Sequence, residues 1–282
     1  MTSDVLVDAR SLAALPASGV LIVDCRFELS DPAKGEREFR EAHIPDAVYA
    51  SLDRDLSDLS KKNLGRHPLP DQGAFSRTLS RWGWTPKRRV VAYDGAGGAL
   101  AAARLWWMLR ICGIQSSVLD GGWRAWCDAG LPVESGQARA REPTRVDLQF
   151  DPSQVVYYEE LERLRSGDSI LLLDARGAQR YRGEVEPIDP VAGHVPGALN
   201  RPFGDNLESN GRFKPPQRLR EEFAAATANR GPKEVIHMCG SGVTAAHNLL
   251  AMEIAGLHGS RLFAPSWSGW VSDPGRQVAK GA

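Results

Sequence analysis

The residue with the clearest chemistry in this sequence is a cysteine at the start of a glycine-containing loop. Cys239 follows the apolar run 235–238 and precedes Gly-Ser-Gly, after which helical spacing begins. Gly240 and Gly242 allow main-chain conformations in which successive N–H groups turn inward at a helix N-terminus. Such groups stabilise a thiolate, so Cys239 is predicted to be a sulfur nucleophile. The residues predicted to hold the bound anion are Gly240, Gly242, Val243 and Thr244.

Cysteine phosphatases also hold an anion in a loop that begins with a nucleophilic cysteine. Their loop needs an arginine six positions after the cysteine, and here that position is Ala245. Without a guanidinium the bidentate phosphate contact is lost, so the sequence disfavours phosphatase chemistry. An ordinary buried thiol is the other interpretation of Cys239, and the two glycines that flank Ser241 argue against it.

The cysteines and histidines do not predict a metal centre. Cys25, Cys112 and Cys127 form no CxxC pair and no close Cys/His ligand set with Cys239. His237 could form a soft-metal pair with Cys239, but its place in an apolar run favours a core residue. We therefore expect reduced thiols, no metal and no cofactor.

The two halves of the sequence repeat each other. The repeated blocks are 21–26 with 171–176, 42–47 with 193–198, 90–95 with 235–240, and Trp123 and Trp126 with Trp267 and Trp270. Four blocks in the same order, at offsets between 144 and 151, indicate a duplicated domain. In this alignment Asp94 occupies the position of Cys239, so the thiol belongs to the second half alone.

Apolar runs and helical patterns alternate in both halves. The apolar runs are Val20–Val23, Val90–Tyr93, Ile170–Leu173 and Val235–Met238, and the helical spacings lie at 161–165 and 245–255. This alternation predicts an α/β fold in which each half has a mostly parallel sheet flanked by helices. Ligands bind beyond the carboxyl ends of such strands, where Asp94 and Cys239 both fall.

A polar segment without apolar periodicity, 134–146, separates the two patterned regions. It predicts a non-catalytic domain at 1–134, a linker at 135–146 and a catalytic domain at 147–282.

Composition excludes several classes of protein. The 282 residues are 42% hydrophobic and 25% charged, as expected for two globular domains of ordinary size. A net charge of zero gives no overall field for nucleic acid or an anionic membrane, and we expect neither partner. The first ten residues lack the pattern of a signal peptide, which favours a cytoplasmic location. The apolar stretch 99–114 contains Arg104 and Arg110 and predicts a buried or amphipathic helix.

Together, the repeated motifs resemble the two-domain rhodanese family of thiosulfate and 3-mercaptopyruvate sulfurtransferases. The motifs that carry the resemblance are Asp-x-Arg, Gly-His-x-Pro-Gly-Ala, Cys-Gly-Ser-Gly-Val-Thr-Ala and the paired Trp, and they span roughly residues 5–278. The resemblance implies two tandem rhodanese-like domains. It also implies that Cys239 takes a sulfane sulfur from a donor, becomes a persulfide and passes the sulfur on, while the Asp94 half is not catalytic.

Two features bear on the sulfur donor and leave its identity open. The loop after Cys239 has no basic residue, which resembles the mercaptopyruvate branch and not the thiosulfate branch. Arg180, in QRYRGEVEP, matches the family's donor-binding Arg, whereas the second Arg expected nine residues later is Asp189. Arg182 is a candidate to replace it, with a solvated surface Arg as the alternative, and thiosulfate stays open as the donor.

The mercaptopyruvate branch also resembles serine proteases in having Asp, His and Ser near the nucleophile. The matching positions are Ser241, His67 and Asp53, with Asp55 as a competitor for Asp53. These groups are predicted to relay a proton to the leaving enolate. His43 and His194 occur in both halves and predict a structural turn, and the repeated Asp-x-Arg motif is predicted to hold loops.

The sequence therefore predicts an enzyme, a sulfurtransferase that moves sulfur from a small anionic donor through a Cys239 persulfide. The donor is 3-mercaptopyruvate or thiosulfate, and the acceptor is a thiol, cyanide or a protein. Two alternatives remain: a persulfide carrier that delivers sulfur to a partner protein, and a catalytically inactive scaffold.

Overall fold

Within residues 5–167 and 169–281, which a computed structural model describes, the chain forms two compact units. The first comprises the chain up to Asp58, Leu69–Asp151 and Ser209–Phe213. The second comprises Leu59–Pro68, Pro152–Glu208 and the chain from Lys214 onward. The predicted linker 135–146 lies in the first unit. Each unit also contains a short segment from the other half of the sequence, so the units do not correspond to a single cut in the chain.

The first unit has a five-stranded parallel sheet in the order β1-β5-β4-β2-β3. Its strands are β1 Leu6–Val7, β2 Val20–Asp24, β3 Val48–Tyr49, β4 Arg89–Tyr93 and β5 Ser116–Leu119. Its helices are α1 Ala9–Ala13, α2 Lys34–Glu41, α3 Leu52–Asp55, α4 Gln72–Arg81, α5 Ala102–Arg110 and α6 Gly122–Asp128. Asp94 follows β4, which lies between β2 and β5.

The second unit repeats this topology, with a parallel sheet in the order β6-β10-β9-β7-β8. Its strands are β6 Val155–Val156, β7 Leu171–Asp174, β8 Leu199–Asn200, β9 Val235–Met238 and β10 Arg261–Phe263. Its helices are α7 Tyr158–Ser166, α8 Ala178–Tyr181, α9 Pro216–Ala226, α10 Ala245–Ile254 and α11 Ser266–Trp270. Cys239 follows β9, the strand that corresponds to β4.

The predicted fold class is confirmed. All four predicted apolar runs are strands, because residues buried on both faces of a parallel sheet read as continuous apolar runs. Each sheet packs its helices around its own core, which includes Val91 and Trp126 in the first unit and Ile236 and Trp267 in the second.

The apolar stretch 99–114 contains helix α5, as predicted, and seven of its nine residues are apolar. Its Arg104 is fully buried, with the guanidinium 6.0 Å from the ring of Trp107. Among the described residues, no helix is both long and apolar enough to cross a membrane.

Candidate active site

The loop between β9 and α10 encloses the thiol of Cys239. The residue is 1% exposed, and the main-chain N–H of Gly242 donates to its Sγ at 3.1 Å. Gly242 has a φ of +77°, a conformation that favours glycine and that turns this N–H inward. The carbonyl of Cys239 accepts from Trp267 N at 2.9 Å and that of Gly240 from Ser268 N at 2.9 Å, which ties the loop to α11.

The corresponding loop of the first unit shows how such a loop accommodates an anion. The buried carboxylate of Asp94 accepts from the main-chain N–H groups of Ala96, Gly98, Leu100 and Ala102 at 2.9 to 3.2 Å. Burial raises the pKa of Asp94, while the four N–H donors act in the opposite direction. The Asp94 side chain thus fills its own loop, whereas the corresponding loop of the second unit carries the thiol of Cys239.

Ser241, in the loop of Cys239, meets His67. The Nδ1 of His67 lies 2.9 Å from Ser241 Oγ, and both residues are buried. His67 belongs to Leu59–Pro68, the segment of the N-terminal half that packs in the second unit. The segment is held there because Tyr158 Oη donates to Asn63 O at 2.5 Å and Arg66 N donates to Ser268 Oγ at 2.9 Å.

Two guanidinium groups converge on the loop through a shared carboxylate. Asp189 Oδ1 accepts from Arg66 Nη1 at 2.6 Å, and its Oδ2 accepts from Arg180 Nη2 at 3.0 Å. A Cβ atom on Gly240 would lie 3.3 Å from Arg66 Nη2 and 3.7 Å from Arg180 Nη1. The remaining N–H donors of both arginines therefore lie against the loop that carries Cys239.

Glu186 fixes the segment that carries Asp189. Its carboxylate pairs with Arg180 Nη2 at 2.7 Å and with Arg176 Nη1 at 3.3 Å. It also accepts from the main-chain N–H groups of Ile188 and Asp189, both at 3.1 Å. The hydrogen bonds and the ion pair with Arg180 lower the pKa of Glu186 against the opposing effect of burial, which is the largest single cause. The Glu186 carboxylate therefore fixes the position of the Arg180 guanidinium relative to Asp189.

Sequence reasoning missed Arg66. The signal was available: Arg66 precedes the candidate His67, and Asp189 stands where a second guanidinium was expected, so another element had to supply it. Arg182, the candidate for that role, pairs instead with Glu184 at 2.6 Å, and its side chain is 37% exposed. The structure does not bring Arg182 into contact with Asp189 or Gly240.

Asp53 and Asp55 lie in α3 of the first unit. Asp55 is buried, accepts from Ser51 N at 2.8 Å and pairs with Arg81. Its carboxylate thus has partners within its own unit. Asp53 is more exposed, and burial raises its pKa. The structure places Ser241 and His67 together, and a role for Asp53 beside them stays a prediction.

The repeated motifs form the same structures in both units. His43 Nδ1 lies 2.7 Å from Phe39 O, and His194 Nδ1 lies 2.8 Å from Tyr181 O, each with its ring stacked on that aromatic residue. Both histidines are buried and neither contacts the thiol, which agrees with a structural role.

The Asp-x-Arg motifs are also equivalent in the two units. Asp24 pairs with Arg26 at 2.6 Å and Asp174 with Arg176 at 2.7 Å, and each arginine also donates to a main-chain carbonyl. These pairs hold the loops that follow β2 and β7.

The described residues contain no group of three or more His, Cys, Asp or Glu side chains arranged to hold a metal ion. His237 is fully buried in β9, with its Nε2 3.1 Å from Met252 Sδ. Its environment is that of a core residue.

Comparison with known proteins agrees with this geometry. A family model described as the rhodanese-like domain matches residues 8–129 and 157–273. A protein of Pseudomonas aeruginosa named as a probable 3-mercaptopyruvate sulfurtransferase is 47% identical over 285 residues and covers 100% of both chains. The mouse thiosulfate sulfurtransferase is 32% identical and covers 98% of this chain and 95% of its own.

A solved structure is similar to nearly the whole chain. The structure of a 3-mercaptopyruvate sulfurtransferase from Escherichia coli superposes with a TM-score of 0.80 at 29% identity and covers 93% of this chain and 98% of its own. The fold and these similarities define an α/β protein with two tandem rhodanese-like domains. The chain belongs to the rhodanese family, and the prediction of a sulfurtransferase is confirmed.

Proposed function

We propose that the protein transfers sulfur from a small monoanionic 2-oxo thiol, 3-mercaptopyruvate, through a persulfide on Cys239. The observation that carries this proposal is the convergence of three groups on one loop: the Cys239 thiol, the Ser241–His67 pair, and two guanidinium groups facing Gly240. A donor that carries sulfur, a carbonyl and a carboxylate matches these three groups one to one.

The carboxylate is assigned to Arg66 and Arg180. Asp189 and Glu186 occupy Arg66 Nη1 and the Nε and Nη2 atoms of Arg180, and Arg66 Nη2 and Arg180 Nη1 lie toward Gly240. Among the described residues, the buried Nε of Arg66 also has no hydrogen-bond partner. A carboxylate bound between two guanidinium groups would receive charge-assisted hydrogen bonds from both.

The first half-reaction follows from the loop. The Cys239 thiolate attacks the donor sulfur and the donor C–S bond breaks, so that its electron pair leaves on the enolate of pyruvate. The enolate takes up the proton of the donor thiol, which leaves pyruvate and the Cys239 persulfide anion. The Ser241 hydroxyl would donate to the ketone oxygen where negative charge develops, and His67 would hold that hydroxyl and exchange its proton. Asp53 is proposed as the group that orients His67.

The second half-reaction returns the enzyme to its thiolate. An acceptor thiol, cyanide or protein thiol attacks the outer sulfur of the persulfide, and the S–S bond breaks toward Cys239. The N–H groups of Gly240, Val243 and Thr244 extend from the loop that already supplies the Gly242 donor and would hold the persulfide anion. A formed site for a small donor favours an enzyme that turns over small molecules over a persulfide carrier. We also propose a cytoplasmic location, because four cysteines without disulfide bonds are typical of a reducing compartment.

The test compares steady-state kinetics of the wild type with Arg66→Ala and Arg180→Ala, using 3-mercaptopyruvate and one thiol acceptor. Losing one charge-assisted contact to the donor costs on the order of 1.5 to 3 kcal/mol, so the donor KM is expected to rise roughly 10- to 150-fold in each variant. Arg182→Ala removes an arginine from the same segment and is expected to leave the KM unchanged.

Cys239→Ser provides the baseline, since a serine hydroxyl cannot carry a sulfane sulfur. Wild type treated with donor should gain about 32 Da, the mass of one sulfur, in an intact-mass spectrum, and Cys239→Ser should not. An unchanged KM in Arg66→Ala would place the donor carboxylate elsewhere. Absence of the added mass in wild type would remove the persulfide mechanism.

A further inference from the structure

Asp189 is a carboxylate that lies between the two arginines assigned to the donor. It is almost fully buried, with a side chain 3% exposed, and it bridges the same two guanidinium groups that are assigned to the donor. A carboxylate between two arginines reduces their attraction for an anionic donor. The presence of Asp189 therefore needs an explanation other than anion binding.

The charges around the donor site form an alternating chain. Asp174 pairs with Arg176 at 2.7 Å, Arg176 with Glu186 at 3.3 Å, and Glu186 with Arg180 at 2.7 Å. Arg180 then pairs with Asp189 at 3.0 Å, and Asp189 with Arg66 at 2.6 Å. Three guanidinium groups and three carboxylates leave this chain with no net charge, although two arginines face the nucleophile.

We propose that Asp189 is a specificity-determining residue that makes the site select monoanionic donors and discriminate against dianionic ones. This inference rests on the proposed function. A carboxylate donor adds one negative charge to the neutral chain beside the Cys239 thiolate, whereas thiosulfate adds two. Asp189 holds the guanidinium groups in place for hydrogen bonding and cancels the surplus positive charge that a dianion requires.

Position is the second part of the proposal. Asp189 takes up Arg66 Nη1 and Arg180 Nη2, so the two side chains present Nη2 and Nη1 toward Gly240 before any donor arrives. Arg66 is borne on Leu59–Pro68 and Arg180 on α8, and Asp189 is the contact that fixes their spacing. Preorganisation of this kind favours a planar carboxylate.

The experiment measures kcat/KM for thiosulfate and for 3-mercaptopyruvate in wild type and in Asp189→Asn, with the same thiol acceptor. The asparagine keeps the shape of the side chain and removes its charge. The ratio of the thiosulfate value to the mercaptopyruvate value is expected to rise on the order of tenfold at low ionic strength, and less at high salt. The thiosulfate value should itself increase, a change that loss of structure cannot produce.

Glu184→Gln is the matched control, because Glu184 is an exposed carboxylate of the same segment that pairs with Arg182. Its donor ratio should equal that of wild type. If Asp189→Asn does not fold, Asp189→Ser is measured in the same way. On wild type alone, pyruvate should inhibit competitively at lower concentration than sulfate does.

An unchanged donor ratio in a folded Asp189 variant, or stronger inhibition by sulfate than by pyruvate, would overturn the role of Asp189. Both outcomes leave the proposed function intact when Arg66→Ala still raises the KM for 3-mercaptopyruvate. Failure of the proposed function is recognised separately, by an Arg66→Ala variant with the KM of wild type.

Discussion

At the scale of single residues, the strand that leads to the Cys239 thiol carries a buried base. His237 lies two positions before Cys239 in β9, and burial lowers its pKa to about 3 from an ordinary value of 6.5. Its Nδ1 is buried without a hydrogen-bond partner among the described residues. The folded protein therefore holds His237 neutral at every pH at which it is expected to function.

This arrangement predicts a dependence of stability on pH. A histidine whose folded pKa is depressed contributes stability that is present above pH 6.5 and is lost as the pH falls toward 3, since the unfolded chain takes up a proton that the folded one refuses. Between pH 7 and pH 5 the loss is about 2 kcal/mol for this one group. In His237→Leu, which leaves no buried nitrogen, the free energy of unfolding in urea should fall by about 2 kcal/mol less over the same interval.

Wild type and His237→Leu have the same carboxylates, so the difference between their pH dependences of unfolding free energy reports on His237 alone. Unfolding curves that depend on pH in the same way in wild type and His237→Leu would show that His237 takes up its proton in the folded state.

Residue types near one another in the sequence were the ones that could be predicted. Cys239 was predicted because its glycines are adjacent, and His67 and Ser241 because motifs mark them. Arg66 was missed because its partner Asp189 is 123 positions away, so only the fold shows that they pair.

At the scale of elements, the segment Leu59–Pro68 brings Arg66 and His67 to the loop of Cys239. It approaches α11 at Gly65, which has a φ of +90°. A Cβ atom on Gly65 would lie 2.4 Å from the carbonyl oxygen of Pro265. The chain can come this close only because residue 65 has no side chain, and the positions of Arg66 and His67 depend on that contact.

Gly65→Ala is therefore expected to displace Arg66 and His67 and to lower kcat/KM for 3-mercaptopyruvate on the order of 10- to 100-fold. Gly211→Ala is the matched control, since Gly211 also has a positive φ, +79°, but has open space where the Cβ would be. Steady-state kinetics and the thermal unfolding midpoint of both variants make the comparison. Equal kcat/KM values in the two variants would mean that the close approach at Gly65 does not position the site.

Elements with long apolar runs were predictable, and those with few residues were not. The predicted run at 235–238 coincides with β9, and the helical pattern from 245 coincides with α10 within one residue. The edge strands β1, β3, β6 and β8 have two residues each, too few to show a pattern. The placement of Leu59–Pro68 depends on contacts with distant residues and carries no local signal.

At the scale of the whole molecule, a duplicated fold has become chemically unequal. Both sheets have the same strand order, and in both a main-chain N–H of the loop donates to the side chain that follows the corresponding strand. In the first unit the loop is closed by its own Asp94, which makes it a structural element. In the second unit the loop begins with the thiol of Cys239, to which the proposed function assigns the transferred sulfur. The repeat was visible in the sequence because its motifs hold each loop in both units.

Asp94→Asn tests whether the first loop is indeed structural. The asparagine has one acceptor oxygen where the carboxylate serves four N–H donors, and loss of charge-assisted hydrogen bonds in a buried site should lower the free energy of unfolding by about 3 kcal/mol. Asp31→Asn, an exposed carboxylate paired with Arg37, is the control and should change stability little. Urea unfolding gives both values. Sulfur transfer by the folded Asp94→Asn variant should equal that of wild type, because the nucleophile and the donor groups belong to the second unit. If Asp94→Asn were as stable as Asp31→Asn, the N–H groups of the first loop would be satisfied without the Asp94 carboxylate. The two loops would then differ only in that the first one lacks a thiol.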